Sequence, residues 1–117
     1  MQSPIIISLG GSLVAPDGVD TTFILALRDL IRTRVAAGEV FVLIIGGGKV
    51  CRRYQEAARD LGAISRDAQD WVGIFATRLN AELVRVAFGG DAHGELVLDP
   101  ALLPAVTAPV AIGAGWK

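Results

Sequence analysis

Three short apolar runs divide the chain, and each ends in glycine. Residues 4–9, PIIISL, are almost continuously apolar and rich in β-branched side chains, and stop at Gly10-Gly11. Residues 40–45, VFVLII, stop in the same way at Gly46-Gly47-Gly48. A third run, APVAIGAG over 108–115, carries Gly113 and Gly115. Unalternated runs of this length predict strands buried on both faces, the pattern of a parallel sheet. Between them the period changes. Ile24, Leu27, Ile31 and Val35 recur at helical spacing within 20–37, with Asp20 placed to cap the start and Gly38 to close the end. A second helix is expected over 49–61, with Arg52, Arg53, Glu56 and Arg59 open to solvent or ligand. A third is expected over 68–88, with Val72, Phe75, Leu79, Leu83 and Val86 as its apolar stripe. The loop GGDAHG (89–94) leads to ELVLD (95–99), a weaker strand pattern, and Pro100 and Pro104 bracket a turn or short helix.

Strand, helix, strand, helices, strand predicts an α/β three-layer sandwich around a mainly parallel sheet. Such sheets bind ligands at the carboxyl ends of their strands, where all three glycine turns fall. Their convergence on one edge points to an extended phosphate-bearing ligand, or to two ligands side by side.

Composition narrows the reading. At 117 residues the chain is one domain or a piece of one. Its 52% apolar content and mean hydropathy of +0.51 exceed what so small a soluble domain needs, which implies a buried interface or missing partner mass. A net charge of −1 suggests neither a nucleic-acid groove nor an anionic membrane surface. One cysteine, Cys51, excludes an intramolecular disulfide, and one histidine, His93, leaves no metal-ligand cluster. The start, MQSPIIISLGG, has no basic leader and too short an apolar run for a signal peptide, so a cytoplasmic location is expected.

The glycine triplet fails both common nucleotide fingerprints. A phosphate-binding loop of the Walker type needs Gly at position 43 and Ser or Thr at 50, where this chain has Leu43 and Val50. A dinucleotide loop starting at Gly46 needs Gly or Ala at 51 and meets Cys51, a small packing residue of the helix. What remains is physical. Backbone N–H groups at a glycine-rich strand-to-helix turn can wrap an anion, and the helix dipole assists. Lys49 and Arg52 follow within one turn, a point charge and a planar fork. A plain tight turn with solvated cations is the alternative. A second group, Asp70, Gly73, Thr77 and Asn80, shares one helix face distinct from the apolar stripe. Such a strip suits hydrogen bonding to a polar ligand body, although Asp70 is equally placed to cap the helix. No nucleophile–base pair is evident. Glycines, cations and a polar strip fit phosphoryl transfer, which relies on positioning and charge neutralisation.

IISLGGSLV (6–14), VLIIGGGKVCRRY (42–54) and DWVGIFATRLNAELV (70–84) resemble, in order and spacing, successive signatures of the amino acid kinase superfamily, in particular the uridylate (UMP) kinases of archaeal type. The resemblance implies a sandwich that transfers the γ-phosphoryl of ATP to UMP with Mg²⁺. It implies that Gly10, Gly11 and Ser12 lie beside the ATP phosphates, and that Gly48 and Arg52 lie between donor and acceptor. It further implies that Gly47 contacts the UMP phosphate and Asp70 the ribose, with Gly73, Thr77 and Asn80 in the same acceptor wall. IGAGWK (112–117) resembles the start of a loop that closes over the acceptor. Isopentenyl phosphate kinases carry a histidine after the glycine run, where this chain has Arg52-Arg53, and acetylglutamate kinases lack the GIFATRLNA helix. Ser8 stands where many family members have a phosphoryl-neutralising lysine, which makes Lys49 the candidate catalytic cation.

Family members are much longer. The resemblance therefore implies that residues 1–117 are the N-terminal, acceptor-binding part and that the ATP-binding C-terminal half is absent. It also implies a homo-oligomer, dimer or hexamer, acting on a small nucleotide, with no nucleic-acid polymer and no membrane as partner. A non-catalytic module that binds a phosphorylated metabolite or mediates oligomerisation, a kinase of another small phosphate or carboxylate acceptor, and a Rossmann-like cofactor protein are the other readings.

Overall fold

The computed structural model describes residues 3–62 and 65–114. Strands β1 (Ile5–Leu9), β2 (Phe41–Ile45) and β3 (Val110–Ala114) form one sheet in the order β1-β2-β3, with both pairs parallel. The register aligns Leu9, Ile45 and Ala114, so the three carboxyl ends lie on one edge. Helices α1 (Gly11–Val14) and α2 (Thr21–Ala36) cross from β1 to β2, and α3 (Gly48–Asp60) and α4 (Arg66–Phe88) cross from β2 to β3. Gly115 and the end of the 112–117 stretch lie outside the described residues.

The helix ends follow local chemistry. Asp20 caps α2 by accepting from the Phe23 N–H at 2.9 Å, and Gly38 leaves the helix with φ +99°. Ser65 caps α4 through the Ala68 N–H at 3.3 Å. The ELVLD segment does not form a strand. Val97 and Ala92 each make a single parallel bridge to β3, because the Gly94 bend and Pro100 leave no room for a longer ladder. A 3-10 turn at Pro100–Ala105, capped by Asp99, follows. No helix among the described residues is long and apolar enough to cross a membrane.

Both crossovers advance in the same direction across the sheet, which puts their helices on the same face. There Leu9, Phe41, Leu43, Ile45, Val110 and Ile112 pack with Val14, Ile24, Ile31, Val84 and Phe88 into the main core. The other face is covered only in part, by Val97, Leu103 and Val106 over Val42, Ile44 and Ala111. The expected α/β architecture with a parallel sheet is present, with a helical layer on one face and the 3-10 segment on the other.

Two expectations fail for reasons of packing. β2 and β3 are buried almost throughout, but β1 is not: Ile5 is 39% and Ile6 64% exposed, because β1 is an edge strand with one bare face. The apolar stripe of α4 also faces outward, with Phe75, Leu79 and Val86 more than 60% exposed. The buried face is instead Gly73, Ala76, Asn80, Ala81, Val84 and Phe88. Small residues let α4 lie close to α3 and the sheet, which the bulkier stripe would prevent.

Candidate active site

The site is built where β1 and β2 end. The Gly46 N–H donates to the Leu9 carbonyl at 2.8 Å, which draws the two glycine turns together. They then touch backbone to backbone. A Cβ on Gly11 would run into the backbone of Gly46 and Gly47. Gly48, at φ +58°, sits so close to the other turn that a Cβ would lie 2.5 Å from the Ser12 nitrogen and 2.7 Å from the Gly11 carbonyl carbon. Glycine is needed at 11 and 48 by this approach, and at 48 by backbone conformation as well. Gly10 is different: its Cβ would meet open space.

The second turn opens α3. Gly47 is its N-cap, no acidic residue occupies its first turn, and the first amide with a partner in the turn before it is Cys51, bonded to the Gly47 carbonyl at 3.2 Å. The leading N–H groups of a 13-residue helix therefore point at the carboxyl edge of the sheet. Three cations follow. Lys49 approaches Asp17 Oδ1 at 4.0 Å, and Arg53 meets the same oxygen at 3.4 Å. Arg52 is exposed and makes no ion pair among the described residues, which leaves its five donors available. Asp17, on the loop after α1, has no signal in the sequence beyond its charge; only the fold brings it to these cations.

From the other side, α4 supports the second turn. Gly73, Thr77 and Asn80 share one face, as their spacing predicts, but that face is turned onto protein. A Cβ on Gly73 would press on Gln55 and lie 2.8 Å from the Cys51 sulfur. Thr77 bonds the Gly73 carbonyl at 3.0 Å, and its Oγ1 would lie 2.6 Å from a Cβ on Gly47. Asn80, 6% exposed, donates from Nδ2 to the Gly47 carbonyl at 3.4 Å. Thr77 and Asn80, expected to line an acceptor, each have a protein partner in this structure. The Thr77 hydroxyl bonds within its own helix, while the buried Asn80 amide ties α4 to the Gly47 peptide, as a buried amide must find a partner nearby. Cys51, half-buried, packs in this seam as a small apolar side chain.

Asp70 stays apart from this seam. Ser65 is the cap of α4, so the capping alternative for Asp70 is excluded. It is half-buried and has no partner among the described residues. The seven residues from Asp70 to Thr77 span about 10 Å along the helix.

Two further features lie elsewhere. An apolar hollow between α2 and α4, lined by Thr21, Ile24, Leu25, Leu83, Val86 and Ala87, is remote from the glycine turns and has almost no polar lining. Its chemistry suits a packed surface rather than a phosphorylated ligand. No group of three His, Cys, Asp or Glu side chains that could hold a metal ion occurs among the described residues.

The chain matches the model of the amino acid kinase family over residues 3–102. It is 44% identical over 91 residues to the uridylate kinase of Natronomonas pharaonis, a match covering 78% of this chain and 39% of that protein. The uridylate kinase of Halobacterium salinarum is 42% identical over 88 residues, covering 75% of this chain and 36% of its own length. Among solved structures, uridylate kinase from Archaeoglobus fulgidus superposes with a TM-score of 0.78 at 28% identity, over 95% of this chain and 50% of that one. Aspartate kinase from Synechocystis, at 15% identity and a TM-score of 0.74, shares the fold over 95% of this chain and 21% of its own. The chain thus spans well under half the length of these curated relatives. With most of its residues matched to the family model and both glycine turns on the shared fold, the chain belongs to the amino acid kinase family.

Proposed function

We propose that this chain is the acceptor-binding part of a kinase-type phosphotransferase that moves the γ-phosphoryl of ATP to UMP. The observation that carries the reading is the pair of glycine turns locked backbone to backbone, with the N-terminus of α3 at their shared edge and Arg52 exposed near the start of that helix. The likeness to archaeal uridylate kinases supports the choice of acceptor.

In this reading the Gly47 turn and the α3 amides hold the acceptor phosphate, and Asp70 takes the ribose hydroxyls. Gly10, Gly11 and Ser12 line the side from which the donor phosphates approach. Gly48 and Arg52 stand between donor and acceptor, where a planar guanidinium can bridge oxygens of both. Gly73, Thr77 and Asn80 act through the Gly47 peptide, by fixing the turn. Lys49 replaces the charge that Ser8 lacks. The residues described here do not form a protein cage for Mg²⁺. Neutralisation within this part of the chain falls to amides and cations. The rest of an ATP site belongs to family residues without a counterpart here, in a C-terminal half.

Calorimetry with UMP, uridine and ATP tests the assignment. UMP should bind, and Arg52→Ala should weaken it about ten- to a hundredfold while leaving uridine unchanged, the loss of one charge-assisted contact. Equal loss for UMP and uridine would remove the phosphate assignment. UMP binding without turnover fits an acceptor-binding part, while binding of no nucleotide at all would remove both site assignments. The second reading, a non-catalytic binding module, has the short span relative to the curated kinases as its support. We also propose a homo-oligomer formed through the outward face of α4 and the adjoining hollow. The support is the row Trp71, Phe75, Leu79 and Val86, large apolar side chains exposed along one helix.

A further inference from the structure

Of the three cations that follow the second glycine turn, two are already engaged. Arg53 meets Asp17 Oδ1 at 3.4 Å and Lys49 approaches the same oxygen at 4.0 Å, whereas Arg52 makes no ion pair among the described residues. Lys49 and Arg53 lie four residues apart and share a face of α3, with Lys49 directly after Gly48 and Arg53 one turn further on. A single carboxylate oxygen thus serves both. Side chains in a helix lean toward its N-terminus, which carries these cations toward the carboxyl edge of the sheet. Asp17 therefore sets a negative charge beside the start of a helix that has no acidic residue in its own first turn.

The pairing is one that can open. The Asp17 side chain is 79% exposed, that of Arg53 60% and that of Lys49 51%, and solvated pairs of this kind hold weakly. The loop that carries Asp17 is fixed at its two ends. There the Ala15 N–H donates to the Gly11 carbonyl at 2.9 Å and the Asp20 N–H to the Val14 carbonyl at 2.8 Å. Between those ends Pro16, Asp17 and Gly18 form a bend that makes no backbone hydrogen bond among the described residues. A Cβ on Gly18 would meet open space, so nothing is packed against the bend at that point. Asp17 can leave α3 without disturbing α1 or the cap of α2. A phosphate group is the stronger anion for this place, since it brings more charge and more acceptor oxygens and can also take the leading N–H groups of α3.

We propose that Asp17 is a resident counter-ion of the glycine-turn site, which neutralises Lys49 and Arg53 while the site is empty and yields Lys49 to an arriving phosphate. Binding is then an exchange of one anion for another. The Lys49 charge reaches phosphoryl oxygens only as Asp17 leaves, and the loop between α1 and α2 is released in the same step. Arg53, a turn away from Gly48, anchors the carboxylate rather than the ligand. The inference rests on the reading of the glycine turns as a phosphate site, but not on UMP as the acceptor.

The test is an NMR titration of the 117-residue chain with pyrophosphate at low ionic strength. Asp17 is exposed and caps no helix, so its variants should fold as the parent does. Asp17→Asn should tighten pyrophosphate about three- to tenfold, because it removes both a competitor and a repelling charge. Asp17→Glu keeps the charge and should stay within about twofold of the parent. In a Lys49→Ala background, Asp17→Asn should gain less than about twofold, since the cation it would free is gone. In the parent, the signal of the Asp17 carboxylate carbon should shift as pyrophosphate saturates the site. An equal gain in both backgrounds would reduce Asp17 to a long-range charge and overturn the proposal. So would unchanged or weaker binding by Asp17→Asn, the latter being the sign of a clamp that positions Lys49, or a carboxylate signal that stays in place at saturation. Pyrophosphate binding with no Asp17 effect would leave the phosphate reading standing, whereas no binding by parent or variants would remove both.

Discussion

Along α4, Gly73, Ala76, Asn80, Ala81, Val84 and Phe88 face the sheet and α3, whereas Trp71, Phe75, Leu79, Leu83 and Val86 point away. Hydropathy ranks the second group higher, yet the first is the buried one. The difference is one of size and fit. A helix that must lie against both a sheet and a neighbouring helix needs small residues at the crossing, so Gly73 meets Cys51 and Gln55 where a larger side chain would hold α3 off. The outward row has no such constraint and is free to be large. Arg78 lies over the rings of Trp71 and Phe75, which partly shields that row while leaving it a continuous apolar surface.

If the inward face is the structural one, the largest effect should follow from its largest member. Phe88→Ala removes a fully buried side chain, and chemical denaturation should show a loss of about 3–5 kcal/mol. A loss below 1 kcal/mol would mean that α4 is not anchored as described. Next comes Asn80→Ala, which leaves the Gly47 carbonyl without its side-chain donor. About 1–3 kcal/mol should be lost, together with UMP affinity, and Asn80→Asp should fail to restore either because it offers no N–H. The smallest effect belongs to the outward row. Leu79→Ser should leave the denaturation midpoint of dilute protein within about 0.5 kcal/mol of the parent. In sedimentation at high concentration the same change should shift the protein toward the monomer. A strongly destabilised Leu79→Ser chain would reverse the assignment of the two faces.

The same contrast explains why some of the site was readable in advance and some was not. Asp20 as a cap, Gly38 as a helix end and the glycine turns after β1 and β2 are local matters, set by residues a few positions apart. Their chemistry is complete within the segment, so pattern and spacing suffice. The four-residue helix α1 was invisible because GSLV has no periodicity to display. Spacing groups Asp70, Gly73, Thr77 and Asn80 on one face of α4. Helical spacing cannot say whether that face meets a ligand or another helix, and three of the four meet protein. Asp17 carries no local signal, since its approach to Lys49 and Arg53 is created by the return of the chain through α2 and β2.

Element type, parallel pairing and the placing of glycine at the strand ends follow from short-range sterics and from the burial of unbroken apolar runs, and are legible in the residue order. Which face of α4 is buried, the backbone contact of Gly11 with Gly47, and the exposure of β1 depend on which elements, distant in sequence, are brought alongside. Burial is a property of what covers a residue, and a strand written to be covered on both faces carries the same sequence whether or not its partner is present.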